Sequence, residues 1–219
     1  MIGFDFGMTA GASQSSSRKQ LEGNAIHTVK FEGCEARDID GKQDPTKKFK
    51  VLDIKFSNSD GYFTDTIWEP NDSDMEDRVG PYGAQPSNFK AMMYKFKHLI
   101  DAVNPALAAK IDSGEQKLNA NTWDGLRALM VQATTPGIGK ETKIKLVKNN
   151  KGEAIFPYFA NYDRNGKFYM GTNFIGDNIF WTTKELNKMN AAAAAKPTAS
   201  ETFDAPAETQ STADIDFTF

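Results

Sequence analysis

Cysteine and histidine are nearly missing from these 219 residues. Cys34 stands alone, which excludes an internal disulfide and fits a reducing compartment. His27 and His98 are the only histidines, and with Cys34 they fall short of a structural zinc set. No apolar run approaches the length of a membrane-spanning helix. The opening Met1-Ile2-Gly3-Phe4-Asp5-Phe6 lacks the basic-then-apolar order of a signal peptide, so the expected location is the cytoplasm.

Catalytic motifs are equally scarce. Ile2-Gly3-Phe4-Asp5-Phe6-Gly7-Met8-Thr9 resembles the first phosphate loop of actin-like ATPases, but Ser- and Gly-rich chain stands where the hairpin partner should be. Asp5-Phe6-Gly7 lacks the other kinase motifs. Gly137-Ile138-Gly139-Lys140 has no glycine four residues further back and runs into a strand, which a phosphate loop does not. Cys34 lies within a strand pattern and reads as a small buried residue. The acidic stretch from Asp72 to Asp77 reads as a solvated loop. Neither enzymatic activity nor a cofactor nor a metal is expected.

What is present is phenylalanine (16 residues) and a segregated charge. The net charge is −3, yet residues 191–219 hold one lysine against five carboxylates. The remainder carries 25 basic against 24 acidic residues, and one loop holds a cluster of the latter. The rest of the domain is therefore locally basic.

Residues 1–24 read as a flexible amino-terminal arm. Three strands follow: His27 to Arg37, interrupted by Gly33 as a bulge or coil; Lys48 to Phe56, with Leu52, Ile54 and Phe56 on one side; and Tyr62 to Trp68 after the turn Ser59-Asp60-Gly61. A helical insert over 87–133 contains a helix capped by Ser87 or Asn88 and running to about Val103. A short helix opens at Pro105, and a third is capped by Thr122. Strand patterns return at Thr142–Lys148, Ile155–Phe159 and Phe168–Phe174. A short helix, Thr183–Met189, precedes a disordered linker extending to 213, whose Ala, Thr, Ser, Pro and Glu cannot offset the entropy of ordering. This is an α+β layout, mainly β with a helical insert. It suits an OB-fold-like barrel of five to six strands over residues 25–182, with disordered termini.

Binding unpaired nucleic acid needs cations for phosphates and flat rings for bases, the latter worth about 1–3 kcal/mol each. The strands offer both: Lys30, Arg37, Lys48, Phe49, Lys50, Lys55, Tyr62 and Trp68 in the first half, and Lys143, Lys145, Lys148, Tyr158, Tyr162 and Arg164 in the second. Phe31, Phe56, Phe63 and Phe156 read instead as core.

The chain ends in Asp214-Ile215-Asp216-Phe217-Thr218-Phe219, an acidic, aromatic tip on a long tether. That tip is similar to the tails of the single-stranded-DNA-binding proteins of bacteria and their phages. Phe49-Lys50-Val51-Leu52-Asp53-Ile54-Lys55-Phe56 and Thr64-Asp65-Thr66-Ile67-Trp68-Glu69-Pro70 look like the phage type, as does the long insert. The resemblance implies a sequence-nonspecific protein that coats single-stranded DNA in replication, recombination and repair. It would act without cofactor or membrane, and its tip would recruit replication and recombination proteins through Asp214, Asp216, Phe217 and Phe219. It leaves a homo-oligomer open. Only two aspartates and an intervening Thr218 mark the tip as a departure from the family's pattern. A phage structural or assembly protein that docks another subunit through its tail is the competing expectation.

Overall fold

The computed structural model describes residues 19–42, 44–80, 83–157, 160–162, 168–170 and 173–194. The chain divides between Trp181 and Thr182 into two units. In the first, β1 (Ala25–Asp40), β2 (Lys48–Ser57) and β3 (Tyr62–Trp68) form an antiparallel meander. A one-turn helix, α1 (Asp72–Met75), and an antiparallel pair, β4 (Arg78–Gly80) and β5 (Gly83–Gln85), follow. The helices α2 (Asn88–Val103), α3 (Pro105–Asp112) and α4 (Trp123–Thr134) lead to β6 (Glu141–Lys148) and β7 (Ala154–Ile155). These strands complete a five-stranded antiparallel sheet in the order β3-β2-β1-β6-β7.

Sixteen residues of β1 serve two partners. Ala25–Lys30 pair with β6, and Lys30–Asp40 pair with β2. Between Phe31 and Gly33 the register slips by one residue, with Gly33 at φ +121°. Glu32 is the extra residue, and its carboxylate accepts a hydrogen bond from Ser57 Oγ at 2.5 Å. The loop after α4 seals this point, as Phe31 N–H donates to Lys140 O and Gly139 N–H donates to Phe31 O.

One side of the sheet carries Val29, Phe31, Leu52, Ile54, Phe56, Phe63, Ile67, Ile144 and Leu146, all buried. Against them pack Met92, Phe96, Leu99 and Ile100 of α2 and Leu126 and Met130 of α4. The phenylalanines meet edge to face: Phe63 and Phe156 have ring centroids 4.8 Å apart, and Phe56 and Phe156 6.0 Å. The four phenylalanines expected in the core are there. Capping chemistry explains the helix starts. Ser87 accepts from Lys90 N–H, Thr122 from Gly125 N–H, and Pro105 opens α3 behind Asn104.

Four expectations need correction. The arm is shorter than residues 1–24: Leu21 is buried in the core, and its N–H donates to Tyr62 O while Tyr62 N–H donates to Lys19 O. Residues 72–75 form a helical turn, because Asn71 and Asp74 make a reciprocal capping box. The last strand patterns do not all extend the sheet. Ala154–Ile155 joins it as β7, and residues 174–176 meet β6 through an isolated bridge between Ile175 and Ile144, whereas β8 (Ala160–Tyr162) and β9 (Phe168–Met170) pair with each other. In the second unit the helix does not stop at Met189, since α5 runs Thr183–Ala194. A Thr182–Glu185 capping box starts it, and alanine, the best helix former, carries it on. Residues 1–18 and the linker and tip beyond 194 lie outside the described residues. Among the described residues no helix is long and apolar enough to cross a membrane.

At φ +121° an L side chain is strained, and a Cβ on Gly33 would also press on Ile138 Cδ1 at 3.3 Å. Gly33→Ala should lower the unfolding free energy by about 1–3 kcal/mol, read by chemical denaturation. A loss within about 0.3 kcal/mol would show that the bulge tolerates a side chain.

Candidate nucleic-acid interface

The side of the sheet away from the core follows from the register. Cross-strand partners project to the same side. One row reads Arg37–Val51–Trp68 across β1, β2 and β3, the next Glu35–Asp53–Thr66, the next Gly33–Lys55–Thr64. Beyond the bulge, Lys30 lies opposite Ser57 and Glu141, Ser57 lies opposite Tyr62, and Thr28 lies opposite Lys143. Phe49 joins this side through its edge-on contact with Trp68, centroids 5.9 Å apart. Seven of the residues expected to bind therefore share one face: Lys30, Arg37, Phe49, Lys55, Tyr62, Trp68 and Lys143.

Strict alternation would not have assembled them. Lys30 and Arg37 are an odd number of residues apart and would point to opposite sides of a regular strand. The extra residue at Glu32 turns Arg37 to the side that Lys30 occupies.

Other expected residues fall elsewhere. Lys48 and Lys50 share the parity of Leu52 and Ile54, so they lie on the core side, at the end of β2 near α4. Lys50 pairs with Asp124, and Arg127 bridges Asp124, Asp38 and the carbonyls of Arg37 and Val51. Trp123 Nε1 donates to Lys50 O at 3.1 Å. Lys48 pairs with Asp40 directly across the strands. Lys148 also has core-side parity and is exposed at the end of β6.

Lys145 is on the outer side but is 0% exposed, because the segment after Ile175 covers it. Its ammonium donates to Phe180 O at 3.0 Å and sits 5.3 Å from the Trp181 ring centroid. Alternation predicted a solvated lysine and could not foresee this cover. Tyr158 and Arg164 lie outside the described residues, as do Asp214, Asp216, Phe217 and Phe219; Tyr162 is described only as backbone in β8.

The electrostatics differ from a bare cationic trough. Arg37 pairs with Asp53 and Lys55 with Glu35. Hydrogen bonds to these carboxylates and their kin raise the pKa of Arg37, Lys48 and Lys50, while Lys50 and Arg127 hold Asp124 below the usual carboxylate range. Lys30 and Lys143 are the cations of this face that make no ion pair among the described residues.

The rings, in contrast, are open. Trp68 is 53% and Tyr62 44% exposed, at opposite ends of edge strand β3. Lys47 Nζ stands 5.1 Å from the centroid of Phe49, a cation–π contact beside the Trp68 pair. Sequence reasoning missed Lys47, Glu35, Asp53, Thr66 and exposed Phe180. The Phe180-Trp181 pair just before a helix start was the available sign for the last of these.

No group of three or more His, Cys, Asp or Glu among the described residues is placed to hold a metal ion. No family model, no curated protein and no solved structure matches the chain.

Cys34 faces the core side, and burial pushes its thiol up to about 11. At pH 8 the thiolate is then scarce, so native alkylation should run roughly two-hundredfold slower than in the unfolded chain, whose thiol titrates near 8.5. Equal labelling rates in native and denatured protein would show Cys34 to be accessible and reactive.

Proposed function

We propose that this chain binds single-stranded DNA without reading its sequence, through the outer face of an OB-type barrel formed by β1, β2, β3 and β6. The observation that carries this reading is the convergence of seven cationic and aromatic residues on one face through a single-residue bulge. Exposed Trp68 and Tyr62 are stacking platforms, each worth about 1–3 kcal/mol per base. Any base has a flat face, so stacking tolerates all sequences. The pairing of Arg37 and Lys55 with carboxylates leaves a smaller share of affinity to phosphate neutralisation. The protein then grips by rings first and by charge second.

In this reading the protein is not an enzyme. Its acidic, phenylalanine-ended tip, Asp214 to Phe219, recruits replication and recombination proteins. Aspartates meet basic side chains of the partner, and the terminal ring enters an apolar pocket. By flexible-coil scaling a tether of about 19 residues, 195–213, reaches roughly 22–26 Å, which lets the tip act at a distance from the DNA.

Anisotropy titrations of the full chain with labelled oligo(dT) and with duplex of the same length, over a salt series, test the proposal. Tight oligo(dT) binding and weak duplex binding are expected. With both ion pairs closed, Lys30 and Lys143 give a log–log salt slope of about −1.4; release of Lys55 from exposed Glu35 takes it to about −2.1. Failure to bind oligo(dT) at low salt, or equal affinity for duplex, would falsify the reading.

Glu35 is exposed and holds Lys55, so it competes with phosphate for that ammonium. Glu35→Gln should tighten oligo(dT) binding about threefold at low salt, in keeping with an exposed pair worth under about 1 kcal/mol. The same change should steepen the salt slope by about 0.7. Unchanged affinity and slope would mean that Lys55 does not meet DNA.

A further inference from the structure

We propose that Asp53, a buried carboxylate that DNA does not reach, positions Arg37 as the phosphate-gripping fork of this face. The inference rests on the single-stranded-DNA reading above.

Asp53 is 2% exposed although it sits on the side of the sheet away from the core. Both of its oxygens are engaged. Oδ2 accepts from Arg37 Nε at 2.5 Å, and Oδ1 accepts from Thr66 Oγ1 at 2.7 Å. Thr66 is its direct cross-strand neighbour, so β3 fixes the carboxylate from one side while β1 delivers the arginine from the other.

Arg37 is held by one nitrogen only. Its side chain is 42% exposed, and its two terminal nitrogens make no hydrogen bond among the described residues. A guanidinium is a rigid planar fork, and tethering Nε fixes the plane and the direction in which the outer pair of N–H groups points. Two oxygens of a phosphodiester fit that pair in a bidentate contact. Trp68 lies two strands away in the same row, about 10 Å by strand spacing, with buried Val51 as the floor between them. The row thus offers a ring for a base and a fork for its phosphate.

Charge counting and positioning predict opposite signs. If Asp53 acted only as a negative charge near DNA, removing it would tighten binding. As the group that orients Arg37, its removal loosens binding, because a free arginine must be ordered when DNA arrives.

The test uses the full chain, oligo(dT) affinity and thermal melts. Arg37→Lys keeps the charge and should lose about fivefold in affinity with its salt slope unchanged. Asp53→Asn should lose a similar factor, Thr66→Val about twofold to threefold, and neither should cost anything further in an Arg37→Ala background, as coupled residues require. If Asp53→Asn does not fold, Thr66→Val carries the same comparison. Tighter binding by Asp53→Asn, or a loss from either variant that persists without Arg37, overturns the proposal.

A DNA-free measurement separates this inference from the reading beneath it. Inorganic phosphate should shift the Arg37 Nε–H resonance in the wild-type chain and leave it unmoved in Thr66→Val or Asp53→Asn. That result with no oligo(dT) binding would keep the fork and discard the DNA reading. Oligo(dT) binding without an Asp53-dependent arginine shift would keep the reading and discard the fork.

Discussion

The shared strand β1 is the constraint from which the remaining structure follows. Its first residues hold β6 and its last hold β2, so the meander and the strand after the helical insert belong to one sheet only through it. A regular sixteen-residue strand would keep one alternation throughout and send the side chains of its second half to the wrong sides. One extra residue, next to a glycine at φ +121°, bends the strand and reverses the parity beyond it. Phe31 then stays with the core, while Glu35 and Arg37, of the same parity in sequence, turn outward. The fold and the candidate site depend on the same bulge.

The ion pairs on the outer face decide which force would dominate binding there. Exposed salt bridges are individually weak, about 0–1 kcal/mol, so a phosphate displaces a partner such as Glu35 at small cost. Pairing therefore does not silence the cations; it lowers what each contributes. Two open rings at about 1–3 kcal/mol each outweigh two to four such contributions. An interface of this kind would hold a ligand at salt concentrations that release a bare lysine trough.

Much of this was legible from residue pattern. The three meander strands, Gly33 as an irregularity, the caps at Ser87 and Thr122, and Phe31, Phe56, Phe63 and Phe156 in the core each follow from period, turn chemistry or composition. What was not legible depends on chain brought from afar. Lys145 alternates like a solvated lysine, yet residues 180 and 181 cover it. Lys50 looks like a surface cation until Asp124, 74 residues away, is placed beside it. Leu21 sits in a Ser- and Gly-rich opening whose composition argues for disorder, but β3 offers it backbone partners and the core offers it burial. Alanines after Met189 read as spacer by composition and as helix by propensity, and a cap at Thr182 settles it for propensity.

Asp53 and Glu35 show why counting charge is the wrong way to read such a face. Both are carboxylates on the outer side, directly opposite each other across β1 and β2, and each takes a cation. Glu35 is exposed, so its grip on Lys55 is exchangeable with any anion that arrives from solvent. Asp53 is enclosed, accepts from Thr66 as well, and leaves the outer edge of Arg37 open. A buried carboxylate deprived of its cation would be left without compensation, at a cost of several kcal/mol, so Arg37 would not release it to an arriving phosphate. An exchangeable pair subtracts from affinity, whereas a fixed pair sets the direction of a donor. The same charge on the same face has opposite consequences according to whether solvent reaches it.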